Sequence, residues 1–119
     1  MPRLHHLALR VADLARAEAF YAGLLGLAVV ARHADPGGAP RSLWLDLGGG
    51  ALLMLERALR GAGPNGGSAH LLALAVDDLA PWEDRLAAAG VAVDDRSAFT
   101  LYLRDPDGHR VGLSVYRRP

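Results

Sequence analysis

The sequence predicts an α+β protein in which two β-α-β-β-β modules form a curved mixed sheet around a cleft, with the helices outside. Three observations predict this fold: short alternating apolar runs, one amphipathic helical stretch in each half, and an internal repeat. Because one repeat is too small to bury its sheet alone, both are expected to form a single domain over residues 1–119. The expected boundaries are residues 1–59 for module one, 60–68 for a linker and 69–119 for module two.

Composition narrows the class of protein before any motif is considered. Of the 119 residues, 51% are hydrophobic, a fraction that argues against disorder. The absence of cysteine excludes disulfides and thiolate metal sites. Charge is balanced, with no basic cluster beyond Arg117 and Arg118, so we expect no nucleic-acid partner. No membrane-length apolar run or signal peptide is recognised, which favours a cytoplasmic protein without a membrane partner, and the arginine-rich, lysine-free composition favours a bacterial source.

Module one is predicted to contain a strand, a helix and three further strands. In the first strand, polar or small side chains alternate with leucines. Asp13 is placed to cap the N-terminus of the helix, and Gly26 is the expected stop. The five elements are expected at residues 4–11, 14–25, 27–33, 42–47 and 51–57.

Module two is predicted to repeat this order. Asp77 or Asp78 is expected to cap its helix, and Pro81 is tolerated in the first helical turn. The match extends to residues, since Val11–Leu14 resembles Val76–Leu79 in the printed sequence. The elements are expected at residues 69–76, 77–89, 91–93, 99–104 and 110–116.

The last hairpin has one apolar and one mixed face. Its two strands flank a turn in which Pro106 fixes φ and Gly108 adopts backbone angles that other residues resist. Alternation predicts an apolar face of Leu101, Leu103, Val111, Leu113 and Val115. The opposite face carries Thr100, Tyr102, Arg104, Arg110, Gly112, Ser114 and Tyr116. The apolar face must pack on the core, and the mixed face is where a ligand could bind.

Two segments carry a family resemblance. The opening His-Leu-Ala-Leu-Arg-Val-x-Asp-Leu from His6 and the closing Tyr-Leu-Arg-Asp-Pro-Asp-Gly-His-Arg-Val from Tyr102 resemble the vicinal oxygen chelate superfamily. This group includes glyoxalase I, fosfomycin-resistance enzymes, methylmalonyl-CoA epimerases, extradiol dioxygenases and bleomycin-resistance binding proteins. The resemblance implies paired modules, usually a homodimer, and clefts lined by the concave sheet faces.

In the metal-dependent members of this superfamily, His and Glu side chains on the first and fourth strands of each module hold a divalent ion that acts as a Lewis acid. The resemblance places His6 at the ligand position of the first strand. In module two the same spacing falls on Leu71, and His70 is one residue away. The family carboxylate of the last strand is replaced by Gly112.

The corresponding carboxylate position of module one is ambiguous. By the internal repeat, Gly112 corresponds to Met54, which cannot supply a carboxylate. Glu56 lies two residues further along the same face and becomes the ligand under a slightly different alignment.

Two function hypotheses follow, and whether the protein is an enzyme stays open. The first is a glyoxalase/bleomycin-resistance-like small-molecule binding protein with a degenerate metal site and no cofactor, favoured because the ligand set is interrupted at Leu71 and Gly112. Its ligand would contact His6, Arg10, Trp44, Met54, Glu56, Tyr102 and Gly112. The second is a lyase, isomerase or dioxygenase that holds Mn, Ni, Zn or Fe with His6, Glu56 and His70.

Structural roles are the competing interpretation of the same residues. His6 could be a hydrogen-bonding core residue, and Glu56 could be half of an ion pair with Arg10 or Arg110. Trp44 and Tyr102 could belong to the core or a dimer interface. His33 and His109 are interpreted as solvated turn residues.

Overall fold

A computed structural model of the chain describes residues 1–59 and 70–117. The chain divides into two compact units, Met1–Ala62 and Gly63–Pro119. Each unit contains one four-stranded mixed sheet, so the predicted α+β architecture of two modules is confirmed and the strands belong to two sheets. The predicted linker at residues 60–68 lies outside the described residues. No helix in the described part of the chain is long and apolar enough to cross a membrane.

The first unit has the predicted order of elements. Its sheet has the order β1-β4-β3-β2, in which β1 and β4 are parallel and the other pairs are antiparallel. The elements are β1 His6–Arg10, α1 Leu14–Glu18, a π-helical segment Ala19–Leu24, β2 Val29–Ala34, β3 Pro40–Gly48 and β4 Ala51–Glu56.

The helical stretch of the first unit begins as the predicted α-helix and then continues with π-helical winding. The Asp13 carboxylate accepts a hydrogen bond from the Arg16 backbone N–H at 3.2 Å, which satisfies one free donor of the first turn. From Ala19 the winding is π-helical, and the consecutive rings of Phe20 and Tyr21 are both buried, edge to face at 5.0 Å. The helix packs on β3 and β4. This side of the sheet is the core of the unit, with buried Val11, Ala17, Phe20, Tyr21, Leu25, Leu43, Leu45, Leu53 and Leu55.

The second unit has a shorter edge strand than the sequence predicts. Its sheet has the order β5-β8-β7-β6. The elements are β5 Leu71–Ala75, α2 Ala80–Ala88, β6 Asp95–Arg96, β7 Thr100–Arg104 and β8 Arg110–Ser114. The predicted strand at residues 91–93 is wrong, because the Val91 N–H bonds to the Leu86 carbonyl at 2.9 Å and ties this segment to the end of α2. Pairing with β7 starts only when the Asp94 N–H reaches the Tyr102 carbonyl at 2.7 Å.

The start of α2 also differs from the prediction. Leu79 occupies the N-cap position, and its side chain makes no capping hydrogen bond. The Asp78 carboxylate instead accepts from the Ala80 N–H at 3.3 Å. Pro81 lies in the first turn, as predicted, where its missing N–H has no helical partner to lose.

Within β7 and β8 the last hairpin has the two predicted faces, but β8 ends at Ser114, so Val115 and Tyr116 lie beyond the strand that the sequence predicts. Leu101, Leu103, Val111 and Leu113 are fully buried, and cross-strand pairs join Leu101 with Leu113 and Leu103 with Val111. In the turn, the Asp105 carboxylate, only 5% exposed, accepts from the N–H groups of Asp107 at 2.9 Å and His109 at 2.8 Å. Gly108 completes the turn with φ +86°. This turn is therefore structural.

Candidate functional site

The sheet face opposite α1 in the first unit collects the site residues predicted for that unit. Residues paired across neighbouring strands lie on the same face, and so do residues two apart along one strand. Ala8 pairs with Met54, and Met54 with Trp44. The pairing therefore places five predicted residues on one face, which we call the first open face: His6, Arg10, Trp44, Met54 and Glu56.

A row of four polar residues crosses this face from one edge of the sheet to the other. Arg10, Glu56, Ser42 and His33 are successive cross-strand neighbours on β1, β4, β3 and β2. The Trp44 indole N–H donates to Glu56 Oε1 at 3.3 Å, and the Trp44 ring lies 4.5 Å from the His33 ring between centroids. The interpretation of His33 as a solvated turn residue is wrong, because it is a half-buried strand residue packed against Trp44.

The structure gives hydrogen-bond partners for Glu56 and Arg10, which were considered as an ion pair. Glu56 receives the indole hydrogen bond of Trp44. The Arg10 guanidinium donates to the Leu59 carbonyl oxygen, which holds it at the edge of the sheet. Arg110, the other partner considered for Glu56, forms an ion pair with Asp95 at 3.4 Å.

His6 lies at the far end of the first open face, beside a second histidine. The Nδ1 atoms of His5 and His6 are 2.8 Å apart, so one ring must donate its proton to the other. Both residues are exposed. His6 is therefore available to a ligand on this face and is not a buried core histidine.

The strand register separates His6 from Glu56. His6 pairs with Leu52, whereas Glu56 pairs with Arg10, four residues further along both strands. At strand spacings of about 3.3 and 4.8 Å, their Cα atoms are about 14 Å apart. Side chains stand roughly perpendicular to a sheet, so they do not close this gap along its surface. The atoms that bind one metal ion must lie within about 4 Å of each other. The first unit does not bring these two predicted metal ligands together.

The second unit has a corresponding open face. Tyr102 and Gly112 are direct cross-strand neighbours, so both predicted site residues of this unit share that face. The Arg110 guanidinium lies 4.2 Å above the Tyr102 ring, a cation–π arrangement that presents a flat, positively charged surface. Alternation along the last hairpin already predicts Arg110 on this mixed face, two residues from Gly112, although Arg110 is not among the predicted ligand contacts.

At the family ligand positions of the second unit, the structure places an apolar side chain beside a glycine. A Cβ atom on Gly112 would lie 3.5 and 3.7 Å from the two δ carbons of Leu71, and 3.3 Å from Thr100 Cγ2. Leu71 therefore covers the space beside Gly112. His70 immediately precedes β5 and is exposed. Within neither unit do three described histidine, aspartate or glutamate residues form a cluster that could hold a metal ion.

The paired β-α-β-β-β modules, each with an open polar face, define a class of small modular α+β proteins. The chain matches the family model of the glyoxalase/bleomycin resistance protein/dioxygenase superfamily over residues 3–113. The protein belongs to this superfamily, as the resemblance of its opening and closing segments predicts.

Solved structures show the same fold over almost the whole chain. TnmS3, an antibiotic binding protein from Streptomyces sp. CB03234, is 25% identical with a TM-score of 0.74, over 96% of this chain and 95% of that protein. Lactoylglutathione lyase from Agrobacterium tumefaciens is 24% identical with a TM-score of 0.71, over 94% and 92%. The fosfomycin resistance protein FosX from Mesorhizobium loti is 18% identical with a TM-score of 0.76, over 98% and 94%. A comparison with curated proteins finds no match.

Proposed function

We propose that this protein binds a small molecule and has a degenerate metal site. The observation that carries this proposal is that the Leu71 side chain covers the space beside Gly112, at two positions where the metal-dependent members of the superfamily place ligands. Neither residue has a nitrogen or oxygen donor in its side chain. In the first unit, Met54 pairs with Ala8 at the position that corresponds to Gly112.

The chemistry of the metal-dependent members needs several donors around one ion. His6 is the one residue that matches a family ligand position without ambiguity, and Glu56 lies about 14 Å from it by strand register. Gly112 cannot act as a proton-transferring base either. Within the first unit, the strand register therefore does not support the alternative hypothesis, in which Mn, Ni, Zn or Fe is held by His6, Glu56 and His70.

The open faces favour a flat ligand with hydrogen-bonding groups. Trp44 presents an indole beside the Glu56 carboxylate, and Tyr102 presents a ring capped by the Arg110 guanidinium. Aromatic surfaces with a few polar groups are typical of small-molecule sites. TnmS3, a structural neighbour at 25% identity, is an antibiotic binding protein, which supports an antibiotic-like ligand. A homodimer in the cytoplasm remains our prediction for the assembly and its location.

A binding panel tests this proposal. The panel contains bleomycin and flat aromatic antibiotics, and calorimetry measures their affinity for the wild type and for Tyr102→Ala. We expect micromolar or tighter binding of a panel member, reduced at least tenfold by Tyr102→Ala because a stacking surface is lost. The matched control is Trp82→Ala, which removes an aromatic ring from α2 that stacks with Arg85 and should leave affinity unchanged. Equal losses in both variants would contradict the assignment of the ligand to the open faces.

A further inference from the structure

The Trp44 indole lies across the row of polar residues on the first open face. Its N–H donates to Glu56 on β4, and its ring lies 4.5 Å from the His33 ring on β2. Ser42 on β3 is the cross-strand neighbour of both Glu56 and His33, so it lies between them. An indole that contacts both outer residues must pass over Ser42, which explains why Ser42 is only 3% exposed on the face opposite α1. We call the space that this indole occupies the Trp44 slot.

The indole gives no partner to two polar atoms of this row. Among the residues that the structure describes, no group bonds to Ser42 Oγ or to His33 Nε2, although both atoms are shielded from solvent. The only polar group of an indole is its N–H, and Glu56 Oε1 already accepts that hydrogen bond. Buried polar atoms are nearly always paired in folded proteins, because leaving one unpaired is costly. The two unpaired atoms therefore indicate that the Trp44 slot suits a flat group with more hydrogen-bond donors than an indole has.

The Glu56 carboxylate favours a positively charged group in the slot. Its hydrogen bond from Trp44 is 3.3 Å long, whereas such bonds are usually about 2.9 Å. None of the ion pairs between described residues includes Glu56. The guanidinium of its cross-strand neighbour Arg10 donates to the Leu59 carbonyl oxygen. A half-buried carboxylate held by a long hydrogen bond has acceptor capacity left for a cation with N–H donors.

We propose that Trp44 is a movable cover, and that a flat aromatic ligand with an amidinium or guanidinium group replaces its indole in the slot. This inference rests on the ligand binding proposed for the open faces and adds the charge of the ligand. An amidinium presents two parallel N–H groups, which match a carboxylate, and further N–H groups on its sides. The parallel pair bonds to Glu56, and a side N–H bonds to Ser42 Oγ or His33 Nε2. Rotation of the Trp44 side chain to another rotamer breaks its long hydrogen bond to Glu56 and opens the slot.

The test uses benzamidine, an aromatic amidinium with as many non-hydrogen atoms as indole, and benzamide, its neutral analogue of the same shape. Each probe is titrated into the full chain labelled with ¹⁵N, and amide shifts give the affinity. We expect benzamidine to bind about tenfold more tightly than benzamide, because only the cation pairs with the carboxylate. The indole N–H signal of Trp44 should move to the shift of a solvent-exposed indole. The sequence has a second tryptophan, Trp82, and Trp82→Phe assigns the two indole signals.

Three variants test the parts of the slot separately. Glu56→Gln keeps the shape of the side chain and removes its charge, so the ratio of the two affinities should fall to about one to three. Ser42→Ala should weaken benzamidine binding about threefold, because an N–H of the probe loses an acceptor. Trp44→Ala removes the cover, so benzamidine should bind about tenfold more tightly. The matched control is Glu83→Gln, which alters a carboxylate paired with Arg96 in the second unit and should leave the ratio unchanged.

The proposal is overturned if benzamidine does not saturate, if both probes bind the wild type equally well, or if Glu56→Gln leaves the ratio intact. An unmoved Trp44 indole signal at saturation also overturns it, as does weaker binding to folded Trp44→Ala, since the indole would then be a wall of the site. An antibiotic that binds through Tyr102, together with an intact ratio in Glu56→Gln, contradicts this inference alone. Benzamidine binding as expected, without binding of any antibiotic in the panel, contradicts the proposed function alone and supports this inference.

Discussion

The substitution Ser42→Ala should stabilise the protein, although it removes a polar group from a strand. The Ser42 hydroxyl is buried and has no hydrogen-bond partner among the described residues. Mutational data assign a cost of about 1–3 kcal/mol to a buried hydroxyl without a partner. The alanine methyl group keeps Cβ in place, so little packing is lost. We expect the free energy of unfolding to rise by about 1–2 kcal/mol.

Thr100→Val is the matched control for this prediction, because it removes a buried hydroxyl that is paired. Thr100 is 8% exposed, and its Oγ1 donates to Ser114 Oγ at 2.9 Å. Valine keeps the shape of the side chain and loses this bond, so stability should fall by about 0.5–1.5 kcal/mol. Urea denaturation followed by circular dichroism at pH 7 measures both variants. A loss of more than 1 kcal/mol in Ser42→Ala would show that its hydroxyl is hydrogen-bonded in solution and would refute the reasoning.

Three more substitutions test the turn, the apolar contact and the ion pair. Asp105→Ala should cost about 2–3 kcal/mol by urea denaturation, because two backbone N–H groups of the turn lose their acceptor. Gly112→Leu should cost about 1–3 kcal/mol by overpacking, and Leu71→Ala should recover part of this loss in the double variant. Glu18→Gln should lower the melting temperature slightly at pH 7. Because the pKa of Glu18 is depressed in the folded state by Arg32, this difference should shrink as pH falls below about 5 and vanish below the folded pKa.

The local pattern of apolar and polar residues was sufficient to predict most of the fold. Alternation in the last hairpin predicts the four fully buried residues of β7 and β8, since strict period-two alternation leaves one possible inner face. The segment at residues 91–93 is apolar and β-branched at both ends, yet it forms no strand. Its backbone is tied to the last turn of α2 through the Val91 N–H, and sequence propensity contains no information about that bond.

The candidate site was predictable in part for the same reason. Alternation along each strand places His6 and Arg10 on one face, and it also places Met54 and Glu56 together. How far His6 lies from Glu56 depends on the register between β1 and β4, which a single sequence does not encode locally. His33 and Ser42 were missed because their burial depends on tertiary contacts, including the ring of Trp44.

The central claim is that this member of the superfamily binds a small molecule without a functional metal centre. Titration of chelator-treated protein with Mn²⁺, Ni²⁺, Zn²⁺ and Fe²⁺, repeated on Glu56→Ala, tests it most directly. The account predicts that any metal binding is weak and unchanged by Glu56→Ala, because exposed His5 and His6 are the donors that lie close together in the first unit. Binding of about one ion per chain, with an affinity that collapses in Glu56→Ala, would contradict it.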